Sequence, residues 1–177
     1  MTTTQLETAK LQIDLDPVLL NAVIEGTLGG LAMTGLKPPP VGASKLFGAS
    51  QPTAVLVGLC GQSNGTLTLN LSNRAMLHIA STLTGEEEKE FNESSLDAIG
   101  EVGNMIAGCV KDALVGTDYE ITNISVPSLI LGANYDFYFT RGFNTVSVEF
   151  ELPGIPVVYQ RDRYFTVTIS LLRRIIK

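Results

Sequence analysis

The stretch Ser94–Gly108, "SSLDAIGEVGNMIAG", reads as a single amphipathic helix. At about 100° per residue, Glu101 and Asn104 fall at roughly 40° and 340° from Asp97, so all three share one stripe. Gly108 and Lys111 continue that line. Leu96, Ile99, Val102, Met105, Ile106, Cys109 and Val110 occupy the rest of the surface, centred on the far side. Asp97 and Glu101 stand at i,i+4, where like charges repel by a few tenths of a kcal/mol. Helix stability therefore gives no reason for the pair. Ser94 and Asp97 also fit a capping box with the acid at N3, which offers Asp97 a purely structural role. Gly100, Gly103 and Ala107 form a small-residue strip beside the stripe, room for a sister helix or a partner to come close.

Asp16-Pro17 opens an earlier helix, with Pro at the first helical position, that runs to about Gly35. The Pro-rich connection "KPPPVGASKLFGASQPT" leaves room for one edge strand near Ala43–Phe47. "TAVLVGLC", a turn in "GQSNG" and "TLTLNL" make a hairpin with Leu67, Leu69 and Leu71 facing inward. A helix over Asn73–Leu83 stops near Gly85, and the acidic "GEEEKEFNE" reads as a solvated loop. Strand-like runs follow at "SVPSLILG", "YDFYFTRG", "NTVSVEFEL" and "YFTVTISLL".

The early helix repeats the later one. "LNAVIEGTLGGLAMTGL" lies on "LDAIGEVGNMIAGCVKDAL" with Asn21 on Asp97, Glu25 on Glu101 and Leu28 on Asn104. "PTAVLVG" and "PSLILG" then follow as similar strands. Duplicated helix–strand–strand units predict an α+β fold, a pseudo-twofold domain with two related helices packed on a mostly antiparallel sheet. Residues 1–13 read as a flexible N-terminal arm and 14–177 as a single domain.

The chain of 177 residues is 45% hydrophobic, enough for a sizeable core. A net charge of −6 argues against nucleic acid and anionic membrane as partners. No basic, apolar leader opens the sequence and no apolar run reaches the roughly 20 residues of a membrane span. Cys60 and Cys109 are 49 positions apart without a C-x-x-C, which fits buried thiols in a reducing cytoplasm.

Several chemistries are excluded by pattern. "GQSNG" matches G-x-S-x-G around Ser63, but that elbow needs strand, turn and helix, and a β-alternating run follows instead. His78 comes 15 residues later with no acid between, so the order Ser, acid, His fails. One histidine and two separated cysteines leave no metal set and no Cys–His pair. Glu101-x-x-Asn104 lacks the histidine of the di-iron Glu-x-x-His pair. Two acids on one helix face cannot flank a glycosidic bond.

Asp97-x-x-x-Glu101-x-x-Asn104, followed after 22 residues by Pro127, resembles the signature of the CheC/CheX/FliY phosphatases of bacterial chemotaxis. "LDAIGEVGNMIAGCVKDAL" and "VGLCGQSNGTLTLNLS" are most similar to the CheX branch. The resemblance covers about residues 14 to 172, leaving out the N-terminal arm. It implies stimulated hydrolysis of the phosphoaspartate on a CheY-type response regulator. Asn104 would orient the attacking water and Glu101 would pair with the receiver's active-site lysine. Asp97, Gly108 and Lys111 would meet the partner, and Pro127 would start the next strand. The chain would need no cofactor of its own, since Mg²⁺ sits in the receiver, and positioning a water is work a carboxamide does elsewhere in phosphoryl transfer. CheX relatives dimerise by joining sheets, so a homodimer is implied, with "NTVSVEFEL" and "YFTVTISLL" as β-prone strands able to pair at an edge. The alternative is a non-catalytic scaffold or flagellar switch module of the same fold, which has no need of both Glu101 and Asn104.

Overall fold

The computed structural model describes residues 14–46, 51–132 and 142–172. The expected arm at 1–13, Phe47 at the end of the expected edge strand and nearly all of the strand-like run at 135–142 lie outside the described residues. The first helix, α1 (Pro17–Gly30), starts where Asp16 Oδ1 accepts the Val18 and Leu19 amides at 3.0 and 3.2 Å. Pro17 sits at the first helical position, where an amide would find no partner inside the helix. The helix ends five residues before the expected Gly35. A 3-10 turn at Ala32–Thr34 carries the chain on to Gly35, whose φ of 73° suits a residue without Cβ.

The remaining elements follow the alternation of the sequence. They are β1 (Pro40–Ser44), β2 (Thr53–Gly61), β3 (Gly65–Leu71), α2 (Asn73–Thr84), α3 (Glu93–Ala113), β4 (Ile121–Ile124), β5 (Ser128–Leu131), β6 (Phe143–Glu151) and β7 (Tyr164–Leu172). Strand β1 begins three residues earlier than expected. Among the described residues all strand pairs are antiparallel, in the order β1-β6-β7-β3-β2-β4, with β5 also on β2. Strands β6 and β7 are thus interior, β6 flanked by β7 and, at Ser147–Phe150, by β1, and β7 by β6 and β3, rather than forming the outer edge expected of them. The edges belong to β1 on one side and to β4 and β5 on the other.

One face of the sheet carries Val55, Val57, Leu67, Leu69, Val146, Val148, Val167 and Ile169, all buried under the helices. The alternate positions are hydroxyl-rich, and Ser147 and Thr168 hydrogen-bond across β6 and β7 at 2.7 Å. Helix α1 packs over β6 and β7 and α3 over β2, with the two helices against each other. By length and composition alone, Pro17–Thr34 could cross a bilayer. In the fold it is a core helix, with Leu19, Ala22 and Val23 buried.

The duplication is present, with one shift. Each unit is a helix, an edge strand and a hairpin: α1, β1, β2–β3 and then α3, β4–β5, β6–β7. The edge strand of each unit joins the hairpin of the other. "PTAVLVG" (β2) therefore corresponds to β6 and not to "PSLILG" (β5). The small-residue strip on α3 also faces elsewhere than toward a helix or partner. A Cβ on Gly103 would stand 2.6 Å from Val55 Cγ1, so the strip lets α3 sink onto the sheet. The helix–helix approach comes from α1 instead. A Cβ on Gly30 would lie 2.5 Å from Ile106 Cα, and one on Gly26 2.8 Å from the Val110 nitrogen.

Candidate functional site

Helix α3 starts one residue before the stretch that identifies it. Asn92 is the cap: its Oδ1 accepts the Ser95 amide at 2.8 Å, and Ser95 Oγ accepts the Asn92 amide at 3.0 Å. This reciprocal pair satisfies two otherwise orphaned donors and displaces the expected box of Ser94 and Asp97. Asp97 is left two residues beyond N3, exposed and without a capping role. Ser94 Oγ instead donates to Glu88 Oε1 at 2.7 Å, and Asn92 Nδ2 donates to Glu88 Oε2 at 2.9 Å. The Ser94 bond, then the Asn92 bond, holds the Glu88 carboxyl below its ordinary range. The acidic loop thus fastens the start of the helix.

Ile99, Val102, Ile106 and Val110 bury the opposite face of α3. That anchoring fixes the rotation of the helix and turns the stripe outward. Asp97 and Glu101 are exposed, and Asn104, Gly108 and Lys111 are half-exposed. The structure brings all five together on one face. Among the described residues, no hydrogen bond or ion pair engages the side chains of Asp97, Glu101 or Asn104. Lys111 Nζ lies 3.9 Å from Asp112 Oδ1, a loose surface pair of little energy. A carboxylate that only accepts and a carboxamide that both donates and accepts therefore face solvent about 4.5 Å apart along the axis. Such a pair can bind a cation and orient a water. Neither group is a nucleophile with a base beside it.

Pro127 is half-exposed and immediately precedes β5, as expected. Residues the sequence did not single out support it. The Ser125 amide donates to the Gly58 carbonyl at 2.9 Å, and Ser125 Oγ accepts the Gly58 amide at 2.8 Å. A serine two places before a proline is too common a pattern to have marked this joint. Ser63 lies buried in the turn between β2 and β3, and no helix follows it. His78 contacts the Pro153 carbonyl through Nε2 at 2.9 Å, a packing role at the end of β6. The cysteines are a correction: Cys60 is exposed and Cys109 only half-buried. Cys60 lies one residue from the end of β2, where the apolar surroundings in sequence do not become apolar surroundings in space.

A family model described as chemotaxis phosphatase CheX matches residues 53–151, more than half of the chain and including the whole of α3. No curated protein matches the sequence. Solved structures share the fold. A chemotaxis protein CheX from Desulfovibrio desulfuricans superposes with a TM-score of 0.73 at 20% identity, over 86% of this chain and 98% of that one. A CheC-like superfamily protein from a Shewanella species gives 0.75 at 19%, over 90% and 100%. A third, from a CheX–CheY–BeF3–Mg²⁺ complex of Borrelia burgdorferi, gives 0.70 at 22%, over 92% and 100%.

Proposed function

This chain belongs to the chemotaxis phosphatase CheX family, and we propose that it accelerates hydrolysis of the phosphoaspartate on a CheY-type response regulator. The reading is carried by one observation: Glu101 and Asn104 stand side by side on a solvent-facing stripe with no interaction inside the described structure to occupy them. A helix face that projects acid and amide outward suits insertion into a partner's active site. The receiver supplies the phosphoryl group, its Mg²⁺ and its lysine. Glu101 pairs with that lysine and sets the register. Asn104 then holds a water in line with the phosphorus, donating or accepting as the approach requires. Asp97 and Lys111 carry opposite charges at the two ends of the stripe and orient the receiver, while Gly108 keeps the space between them clear. Pro127 is structural.

The chain provides positioning and the receiver provides the chemistry, so the Mg²⁺ requirement belongs to the receiver. A homodimer in this reading uses the edge strands β1 or β4–β5, since β6 and β7 are interior. The test is Asn104→Ala, followed by phosphate release from a phosphorylated CheY-type receiver. Stimulated turnover should fall by about a hundredfold, near 2.7 kcal/mol, with binding of the receiver retained. Unchanged turnover overturns the assignment.

A further inference from the structure

The joint between β4 and β5 lies on the amide side of the stripe. On the helical wheel Asn104 and Lys111 fall between Asp97 and Gly100, at roughly 340° and 320°, whereas Glu101 falls on the far side. Gly100 is the residue of α3 that faces β5: a Cβ there would lie 3.5 Å from Leu129 Cδ1. Helix α3 packs on β4 as well as β5. The residues that connect those two strands, Ser125–Pro127, lie at the sheet margin on the side of α3 that carries Gly100.

This connection holds an apolar side chain outward. Val126 is 84% exposed. Its backbone is fixed on both sides. Ser125 exchanges hydrogen bonds with Gly58 through its amide at 2.9 Å and its hydroxyl at 2.8 Å, and the same hydroxyl donates to the Val126 carbonyl at 2.9 Å. Pro127 restricts the next φ. A β-branched side chain on a pinned backbone has little freedom left to lose on binding.

We propose that Val126 is an apolar anchor for the phosphorylated receiver, on the side of the stripe occupied by Asn104. The inference rests on the phosphatase reading above. A receiver whose catalytic centre meets Glu101 and Asn104 must extend past the helix, because one exposed stripe falls well short of the roughly 800 Å² per partner of a specific interface. On the amide side the helix borders β5, and the β4–β5 connection continues that margin. Exposed charges such as Asp97 and Lys111 steer and align but add little affinity, whereas a fixed apolar group that becomes buried adds much more. The arrangement divides the work: Val126 holds the receiver and Asn104 acts on it.

The experiment compares wild type with Val126→Asp and Val126→Ser on a CheY-type receiver loaded with acetyl phosphate, reading KM and kcat separately. Both substitutions lie on an exposed position and should leave the thermal unfolding curve in place. The expected result is a KM raised about tenfold, or about 1.4 kcal/mol, with kcat at saturation unchanged and with Val126→Ile close to wild type. Asn104→Ala should show the opposite split. An unchanged KM in both variants overturns the proposal. So does a change in the molecular mass of the free protein, which would assign Val126 to a contact between copies. If the wild-type chain accelerates no CheY-type receiver, the phosphatase reading itself fails and the anchor falls with it.

Discussion

Gly30 of α1 packs its bare Cα against the backbone of Ile106 in α3, and these residues are related by the duplication itself. They stand 76 positions apart, the separation that also relates Asn21 to Asp97, Glu25 to Glu101 and Leu28 to Asn104. A residue touches its own counterpart only on or near a twofold axis. The pseudo-axis of the domain therefore passes between the two helices at Gly30 and Ile106, which leaves the stripes of both helices turned away from that contact.

Gly30→Ala should destabilise the protein although alanine is the better helix former. The propensity gain is at most about 1 kcal/mol. Against it, the new methyl meets Ile106 Cα at 2.5 Å and Ile106 N at 2.6 Å, backbone atoms that can yield only if the helices separate. A net loss of about 2 kcal/mol is expected, which lowers the melting temperature by roughly 4–8 °C. Gly29→Ala is the control, since its Cβ would meet mainly Cys109 Sγ at 3.2 Å. It should stay within about 1 kcal/mol of wild type. Equal melting temperatures for both variants would remove the close crossing.

Glu101→Ala should weaken the receiver complex as well as slow turnover, because a charge-assisted pair with a lysine is lost. The difference in affinity between wild type and variant, measured by calorimetry, should be about tenfold at low ionic strength and shrink in 1 M salt, where screening acts within about 3 Å. An affinity equal to wild type at low salt contradicts the pairing.

The sequence displayed the core and the stripe because both are periodic. Leu67, Leu69 and Leu71 alternate, and Ile99, Val102, Ile106 and Val110 recur at helical spacing, so each face declares itself in one dimension. The cap of α3 was legible only in type. Several Ser, Asn and acidic residues precede the helix, and the choice of Asn92 over Ser94 is made by the loop that brings Glu88 to Ser94. The swapped edge strands were not legible at all. Whether β1 joins its own hairpin or the other one is decided by sheet closure around two helices, which leaves no local pattern. The exposure of Cys60 was lost for a similar reason: "VGLCG" is apolar in sequence, but its end lies at the sheet margin.

Ser94→Ala should raise the pKa of Glu88, since the Ser94 hydroxyl is the main cause of its lowering. The sign follows from linkage. A carboxyl depressed below 4.5 in the folded state stabilises at pH above that value, and loses the contribution as pH falls through the folded pKa. NMR titration of the Glu88 side chain should show the midpoint move upward in the variant. A midpoint unmoved by the substitution would show that Asn92 alone holds the carboxylate.

Cys60 should react with a disulfide reagent well before Cys109. Cys60 is exposed, whereas the Cys109 thiol is pushed up by burial and then by the neighbouring Asp112 carboxylate, so less of it is thiolate near pH 8. Two phases, the slow one removed by Cys109→Ser, are expected in a thiol titration of the native protein. A single fast phase would mean that α1 does not cover Cys109.

The sister stripe on α1 is incomplete. Asn21 and Glu25 are exposed, and Leu28 is 38% exposed where α3 carries Asn104. The first copy has therefore kept the acid and the outward orientation but lost the amide at the position of Asn104. Leucine has neither donor nor acceptor, so the position equivalent to Asn104 cannot orient a water for attack. Because the pseudo-axis runs between the helices, a receiver seated on α3 faces the Asn104 stripe and not the Glu25 stripe. Glu25→Ala should leave stimulated phosphate release within about twofold of wild type, while Glu101→Ala reduces it at least tenfold, differences of roughly 0.4 and 1.4 kcal/mol. Leu28→Asn completes the signature pair on α1 and tests sufficiency. If an acid and an amide on an exposed helix are all the chain contributes, the double variant Leu28→Asn with Asn104→Ala should regain measurable activity. If it regains none, groups outside the helix, with the β4–β5 connection first among them, are required to seat the receiver. Equal losses from Glu25→Ala and Glu101→Ala would instead place both helices against the substrate and end the single-site assignment.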